Sequence, residues 1–200
     1  MTLLLEDSAR LSASEDVLQD IRSPGCNLAI WKRSVPLGCE QVRDEMDRDI
    51  RFSAPLAELA QLLRAELSNA QVPASDKTEA LIGDVAMLAR LYCSAMDISA
   101  VELRLEIVTT DSCRKFHADY VNARLITTYA GTGTQWLSND DAERVRQGLE
   151  PGTINTLSAG DVGLFKGKLA TETPAIHRSP PISGTGEKRL LLVLNPPESR

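Results

Sequence analysis

Two histidines and one acid are the residues of this chain best suited to metal chemistry. The sequence holds only His117 and His177, and Asp119 follows the first of them at i+2. Residues two apart in extended chain point the same way, so His117 and Asp119 project together. If His177 meets them, two imidazoles and one carboxylate sit on one side of a divalent ion and leave its other positions open. That is the donor set of non-haem Fe(II) sites. Cys113, four residues before His117, is a possible extra ligand. With it the set becomes a closed four-ligand zinc site; without it Cys113 is a small core residue or a free thiol. The His-x-Asp pair alone equally fits a surface loop.

These residues need a frame. Residues 101–108 alternate apolar and charged side chains, the period of a half-buried strand. Further strands are expected at 123–129, 135–137, 153–157, 162–165 and 190–194, punctuated by Gly, Pro and Thr. Gly131-Thr132-Gly133-Thr134 lacks the Gly-Lys-Ser/Thr ending of a phosphate loop and reads as a turn. Upstream, residues 27–31 read as a short strand. Leu56, Leu59, Leu63 and Leu67 form one helical face over 55–67, and a longer helix is expected over 76–95. Asp76 is its expected cap, with Glu79 three residues on, and Leu81, Val85, Leu88 and Tyr92 form its apolar stripe. A short surface helix fits 139–148. The fold class is therefore α+β, an N-terminal helical layer on a C-terminal β core. Residues 1–24 read as a loose lead-in with one helix at 14–21, 25–97 as strand plus helices, and 98–196 as the β core. The tail beyond Pro197 is expected to fray.

Composition sets outer limits. The 200 residues are 42% hydrophobic but only 4% aromatic, so the core is aliphatic. The net charge of −6 opposes an extended nucleic-acid groove. The acidic excess lies in residues 1–110, and the half with both histidines is near neutral. No apolar run reaches the ~18 residues of a membrane span. The opening run Leu3-Leu4-Leu5 has no basic start and meets Glu6 and Asp7 at once, unlike a secretory signal. Four scattered cysteines without such a signal fit reduced thiols in a cytoplasmic protein.

The order His117-x-Asp119, Gly160-x-x-x-x-Phe165, His177, Pro181-Ile182, then Gly186 and Arg189 before an apolar strand resembles the Fe(II)/2-oxoglutarate dioxygenases, most nearly their prolyl-hydroxylase-like branch. The resemblance covers residues 100–195. It implies a double-stranded β-helix, a jelly-roll or cupin-like barrel, and an oxygenase with Fe(II) and 2-oxoglutarate as small-molecule cofactors. His117, Asp119 and His177 would hold the metal, and Arg189 would pair with the distal carboxylate of 2-oxoglutarate. A guanidinium fork suits a carboxylate. Arg189 stands slightly farther beyond His177 than is usual in that superfamily. Lys188 is the alternative anchor, because neighbours on a strand face opposite ways. Tyr129 and Arg124 are further candidates for cosubstrate contact. The substrate is not legible.

The whole chain also resembles a bacterial family catalogued only as a domain of unknown function, through Asn27 to Arg33, Phe116 to Asp119, Tyr129 to Leu137 and His177 to Pro181. Its members are often met beside zinc-homeostasis genes. That resemblance implies the alternative of a non-catalytic zinc-binding, cupin-like protein.

Overall fold

The computed structural model describes residues 8–197, so the opening leucine run and the last three residues lie outside it. In chain order the strands are β1 (Ala9–Ser12), β2 (Leu28–Trp31), β3 (Ile50–Pro55), β4 (Ala100–Val108), β5 (Ala123–Ala130), β6 (Gln135–Trp136), β7 (Asn155–Thr156), β8 (Val162–Lys166), β9 (His177–Arg178) and β10 (Arg189–Asn195). The α-helices are α1 (Val42–Glu45), α2 (Leu59–Asn69), α3 (Asp76–Met96) and α4 (Asn139–Arg146). Seven strands form one sheet in the order β1-β2-β8-β5-β10-β4-β3. Every pairing in it is antiparallel except β1 with β2. A second sheet has the order β7-β6-β9.

The alternation along β4 decides which face of the large sheet meets what. Val101, Leu103 and Leu105 are fully buried against the helices. Arg104 and Glu106 face the other way. On β10 the same alternation sends Leu190, Leu192 and Leu194 to the helical side, and Leu191 and Val193 to the side shared with Trp136, Leu157 and Ala175. Both faces of the central strands are thus covered, which is why β10 reads as a continuous apolar run from Leu190 to Leu194. Tyr92 of α3 donates to the carbonyl of Ala123 at 2.8 Å and ties the helical layer to the start of β5.

Three local expectations change. Residues 8–22 are integral to the fold: β1 extends the sheet edge, and a 3-10 helix (Glu15–Arg22) buries Val17, Leu18 and Ile21. Residues 50–54, unassigned from sequence, and Pro55, read there as the start of a helix, pair with β4, so the helix starts at Leu59. The long helix is capped by Ser75, whose side chain accepts from Thr78 N, with Asp76 and Glu79 in its first turn. Glu79 does not close a capping box. It pairs with Arg64 of α2 at 2.8 and 2.7 Å. Among the described residues, no helix is long and apolar enough to cross a membrane.

Candidate metal centre

His117 and His177 are direct backbone partners. They form an isolated antiparallel bridge in which each N–H donates to the other's carbonyl at 3.0 Å. Such a pairing puts two side chains side by side, and here the ring centroids are 4.8 Å apart. Asp119, two residues after His117, lies beside both rings. Its Oδ1 is 3.7 Å from His117 Nε2, and its Oδ2 is 3.3 Å from His177 Nε2. One ligand atom from each of the three residues lies within 4.8 Å of the others.

The hydrogen bonding of the rings orients this set. His117 Nδ1 faces the carbonyl of Lys115 at 2.9 Å, and His177 Nδ1 faces that of Ala175 at 3.4 Å. A carbonyl only accepts, so each Nδ1 is the ring atom suited to donate there, and each Nε2 is the one turned towards Asp119. Asp119 is 8% exposed, and its Oδ2 accepts no well-formed hydrogen bond. Burial alone would raise its pKa, but the His177 imidazole, the Arg124 guanidinium and His117 outweigh burial and hold it below the usual carboxylate range. The result is an ionised, buried carboxylate with one unpartnered oxygen, beside the Nε2 atoms of two imidazoles, an arrangement that a cation would satisfy. A single divalent ion fits the donor chemistry.

A cleft of about 330 Å³ opens over this group, lined by His117, His177, Arg124, Ile126, Ser179 and Leu191 among others. Arg189 lies on the same face of β10 as Leu191 and is fully buried. It donates from Nε to the carbonyl of Thr132 (2.6 Å), from Nη1 to Ser179 Oγ (3.2 Å) and from Nη2 to Thr128 Oγ1 (3.4 Å). All three acceptors are neutral, and among the described residues Arg189 has no ion-pair partner. Burial pulls its pKa down to about 10. Lys188, the alternative anchor, points away. It is exposed and borders a separate surface depression with Arg43 and Asp44.

Two other candidates stand differently. Tyr129 does not face the cleft. It is buried among the helices, and its hydroxyl donates to Asp84 Oδ2 at 2.6 Å, where Arg33 Nη2 also binds Asp84 at 2.9 Å. The parity of β5 sends odd positions such as Leu125 and Tyr129 to the helical core and Arg124 and Ile126 to the cleft. We therefore expect Tyr129→Phe to lower stability by about 1–3 kcal/mol by removing one of the two hydrogen bonds to the buried Asp84 Oδ2, while metal affinity stays unchanged. Urea unfolding and metal titration of the same variant measure both. Cys113 is exposed at the cleft mouth and is not part of the three-residue donor group. The closed four-ligand arrangement therefore does not form. The other cysteines, Cys26, Cys39 and Cys93, are buried thiols, and burial pushes Cys39 up to about 11.

One glycine is required at this site. Gly167, just after β8, passes so close to the first-ligand segment that a Cβ there would run into the carbonyl oxygen of Val121 and sit 2.9 Å from that of Asp119. Its own N–H donates to Asn122 O, and Lys168 N donates to Asp119 O, both at 2.9 Å. Backbone cannot yield as a side-chain tip can. Gly167→Ala is expected to cost about 2–3 kcal/mol of stability and to weaken metal binding at least tenfold. Thermal melts with and without Co(II) report both effects.

Sequence reasoning overlooked Thr128, Ser179, Asn195, Arg104 and Glu106. The available signal for four of them was strand parity, since they share a face with Ile126 or Leu191; Ser179 had none.

Among solved structures, the fold matches a dioxygenase for auxin oxidation from Arabidopsis thaliana, determined as a 2-oxoglutarate complex. The TM-score is 0.52 at 10% identity, over 94% of this chain and 91% of that one. A dioxygenase for auxin oxidation from rice gives 0.48 at 11% identity over 96% and 84% of the two chains. A prolyl-4-hydroxylase from Pseudomonas putida gives 0.42 at 12% identity over 90% and 92%. At 10% identity the likeness to the Arabidopsis thaliana structure is one of fold. No curated protein matches the sequence. Residues 12–195, nearly the whole chain, match the family described as protein of unknown function, DUF1826, and the chain belongs to that family.

Proposed function

We propose that this protein is a mononuclear non-haem Fe(II), 2-oxoglutarate-dependent oxygenase built on a double-stranded β-helix. The observation that carries the reading is the convergence of His117 Nε2, His177 Nε2 and the orphaned Asp119 Oδ2, with both imidazoles lining a cleft. Iron held there would supply the redox chemistry that activates O₂, with 2-oxoglutarate as the co-reductant. The chain's own residues do the rest. Three protein donors leave positions open for an oxo-acid and O₂. Arg189 does not itself line the cleft, but its guanidinium bonds Ser179, which does, and its hydrogen-bond partners are all neutral, so it is the cation nearest at hand for the far carboxylate. Leu191, Val193 and Ile126 give the cleft an apolar stretch that suits the methylene part of such a molecule. The fold shared with the Arabidopsis thaliana protein, a 2-oxoglutarate complex, supports the same reading.

The rival, a closed zinc site, needs a fourth protein donor, and Cys113 does not join the group. The test is an anaerobic titration of Fe(II)-loaded protein with 2-oxoglutarate. A weak visible charge-transfer band that saturates at one equivalent is expected. Folded, iron-loaded protein that never develops this band and shows no 2-oxoglutarate binding would overturn the reading.

A further inference from the structure

The geometry points to Arg124 as a positioning residue: it occupies one oxygen of Asp119 and so leaves Oδ2 as the single carboxylate atom offered to the metal. This rests on the reading of His117, Asp119 and His177 as the metal site.

Arg124 is held at both ends. Its Nη1 donates to Asp119 Oδ1 at 2.6 Å, and its Nε donates to Asn195 Oδ1 at 2.7 Å. Asn195 in turn donates from Nδ2 to Glu102 Oε2 at 3.3 Å, and Arg51 pairs with Glu102 Oε1 at 2.6 Å. Arg124, Asn195, Glu102 and Arg51 belong to β5, β10, β4 and β3, four successive strands of the large sheet. Asn195 and Glu102 are buried, at 4% and 6% exposure. The row therefore runs from the sheet edge to the metal ligand through side chains with little room to move.

Three consequences follow. Arg124 lines the cleft, but with Nε bonded to Asn195 and Nη1 to Asp119 its guanidinium is held on Asp119, and only Nη2 is left to face a cleft ligand. Asn195 is neutral and Glu102 is already matched by Arg51, so Asp119 is the carboxylate that takes the charge of Arg124. With Oδ1 engaged, the carboxylate cannot rotate into bidentate coordination, which disfavours large oxygen-seeking ions such as Ca(II) and favours a small ion bound by two imidazoles. Lysine cannot do this work, because one ammonium cannot bond Asp119 and Asn195 through a planar fork.

The sign of the effect separates positioning from charge. Removing a nearby cation should by itself tighten the binding of a divalent ion, whereas losing the orientation of a ligand should weaken it. The experiment is an optical Co(II) titration of the full chain as wild type, Arg124→Met, Arg124→Lys, Asn195→Leu and the Arg124→Met/Asn195→Leu double variant, with a thermal melt for each. Arg124→Met is expected to bind Co(II) about 10–100-fold more weakly, the usual loss when a partner of a metal ligand is removed. Arg124→Lys is expected to fail to restore affinity. Asn195→Leu is expected to lose less, and the double variant no more than Arg124→Met, because Asn195 acts through Arg124. Unchanged or tighter binding by Arg124→Met, full rescue by lysine, or additive losses in the double variant would each overturn the inference. Asp119→Ala in parallel tests the underlying site. If it retains Co(II), the metal reading falls and this inference with it. If it loses Co(II) while Arg124→Met does not, only the role of Arg124 falls.

Discussion

Arg189→Met is expected to lower 2-oxoglutarate affinity by at least 100-fold while leaving the melting temperature of the ligand-free protein within about 3 °C of wild type. The two halves of this result have one cause. Arg189 is fully buried, and its hydrogen bonds go to Thr132 O, Ser179 Oγ and Thr128 Oγ1, none of them charged. Burial depresses its pKa to about 10, below the usual guanidinium range, a cost on the order of 3 kcal/mol at neutral pH. Methionine removes that cost but strands the Thr132 carbonyl, worth about 1–3 kcal/mol, so the two nearly cancel. A ligand carboxylate, by contrast, gains the whole charged pair, and methionine offers it nothing. The pH dependence has a definite sign. The folded-state pKa is lowered, so the penalty is fully present below pH 10 and is relieved as pH rises through it. Wild type should therefore gain stability relative to Arg189→Met as pH rises above about 10. Melts of both proteins with and without 2-oxoglutarate and Mn(II), across pH, test each part. A variant that keeps its ligand-induced shift would remove Arg189 from the site.

Loss of metal is the second large effect. His177→Ala and His117→Ala are each expected to weaken Co(II) binding at least 100-fold, since each removes one of only three protein donors. Their stabilities should differ. His177 is 3% exposed and its ring lies 4.6 Å from that of Phe165, so its removal leaves a cavity costing about 2–4 kcal/mol. The side chain of His117 is 34% exposed, and its loss should cost under about 1 kcal/mol. The bridge between the two residues is made by backbone atoms and survives both changes. Chemical denaturation of the metal-free proteins, beside the Co(II) titrations, separates the two contributions. Equal metal affinity in wild type and either variant would show that the ion, if any, binds elsewhere.

What the sequence determined by itself was whatever repeats over a few residues. The alternation over 101–108 gave β4 and its two faces, and the stripe from Leu81 to Tyr92 gave α3. The i, i+2 spacing put His117 and Asp119 on one side. Parity also required that only one of Lys188 and Arg189 point inward, but it could not say which. That choice was made by the pairing of Arg189 with Val108 on β4, which places it on the face of Leu191. The meeting of His117 with His177 was likewise a matter of which strands become neighbours, and no local period encodes a pairing across 60 positions. The same limit applies to Tyr129, an apparent neighbour of the site that the β5 face turns towards Asp84. It applies to β1 and β3 as well, short segments whose strand character comes from the partners they add to. Side-chain periodicity is written along the chain, whereas register and neighbour choice emerge only when the apolar faces of distant segments are buried together.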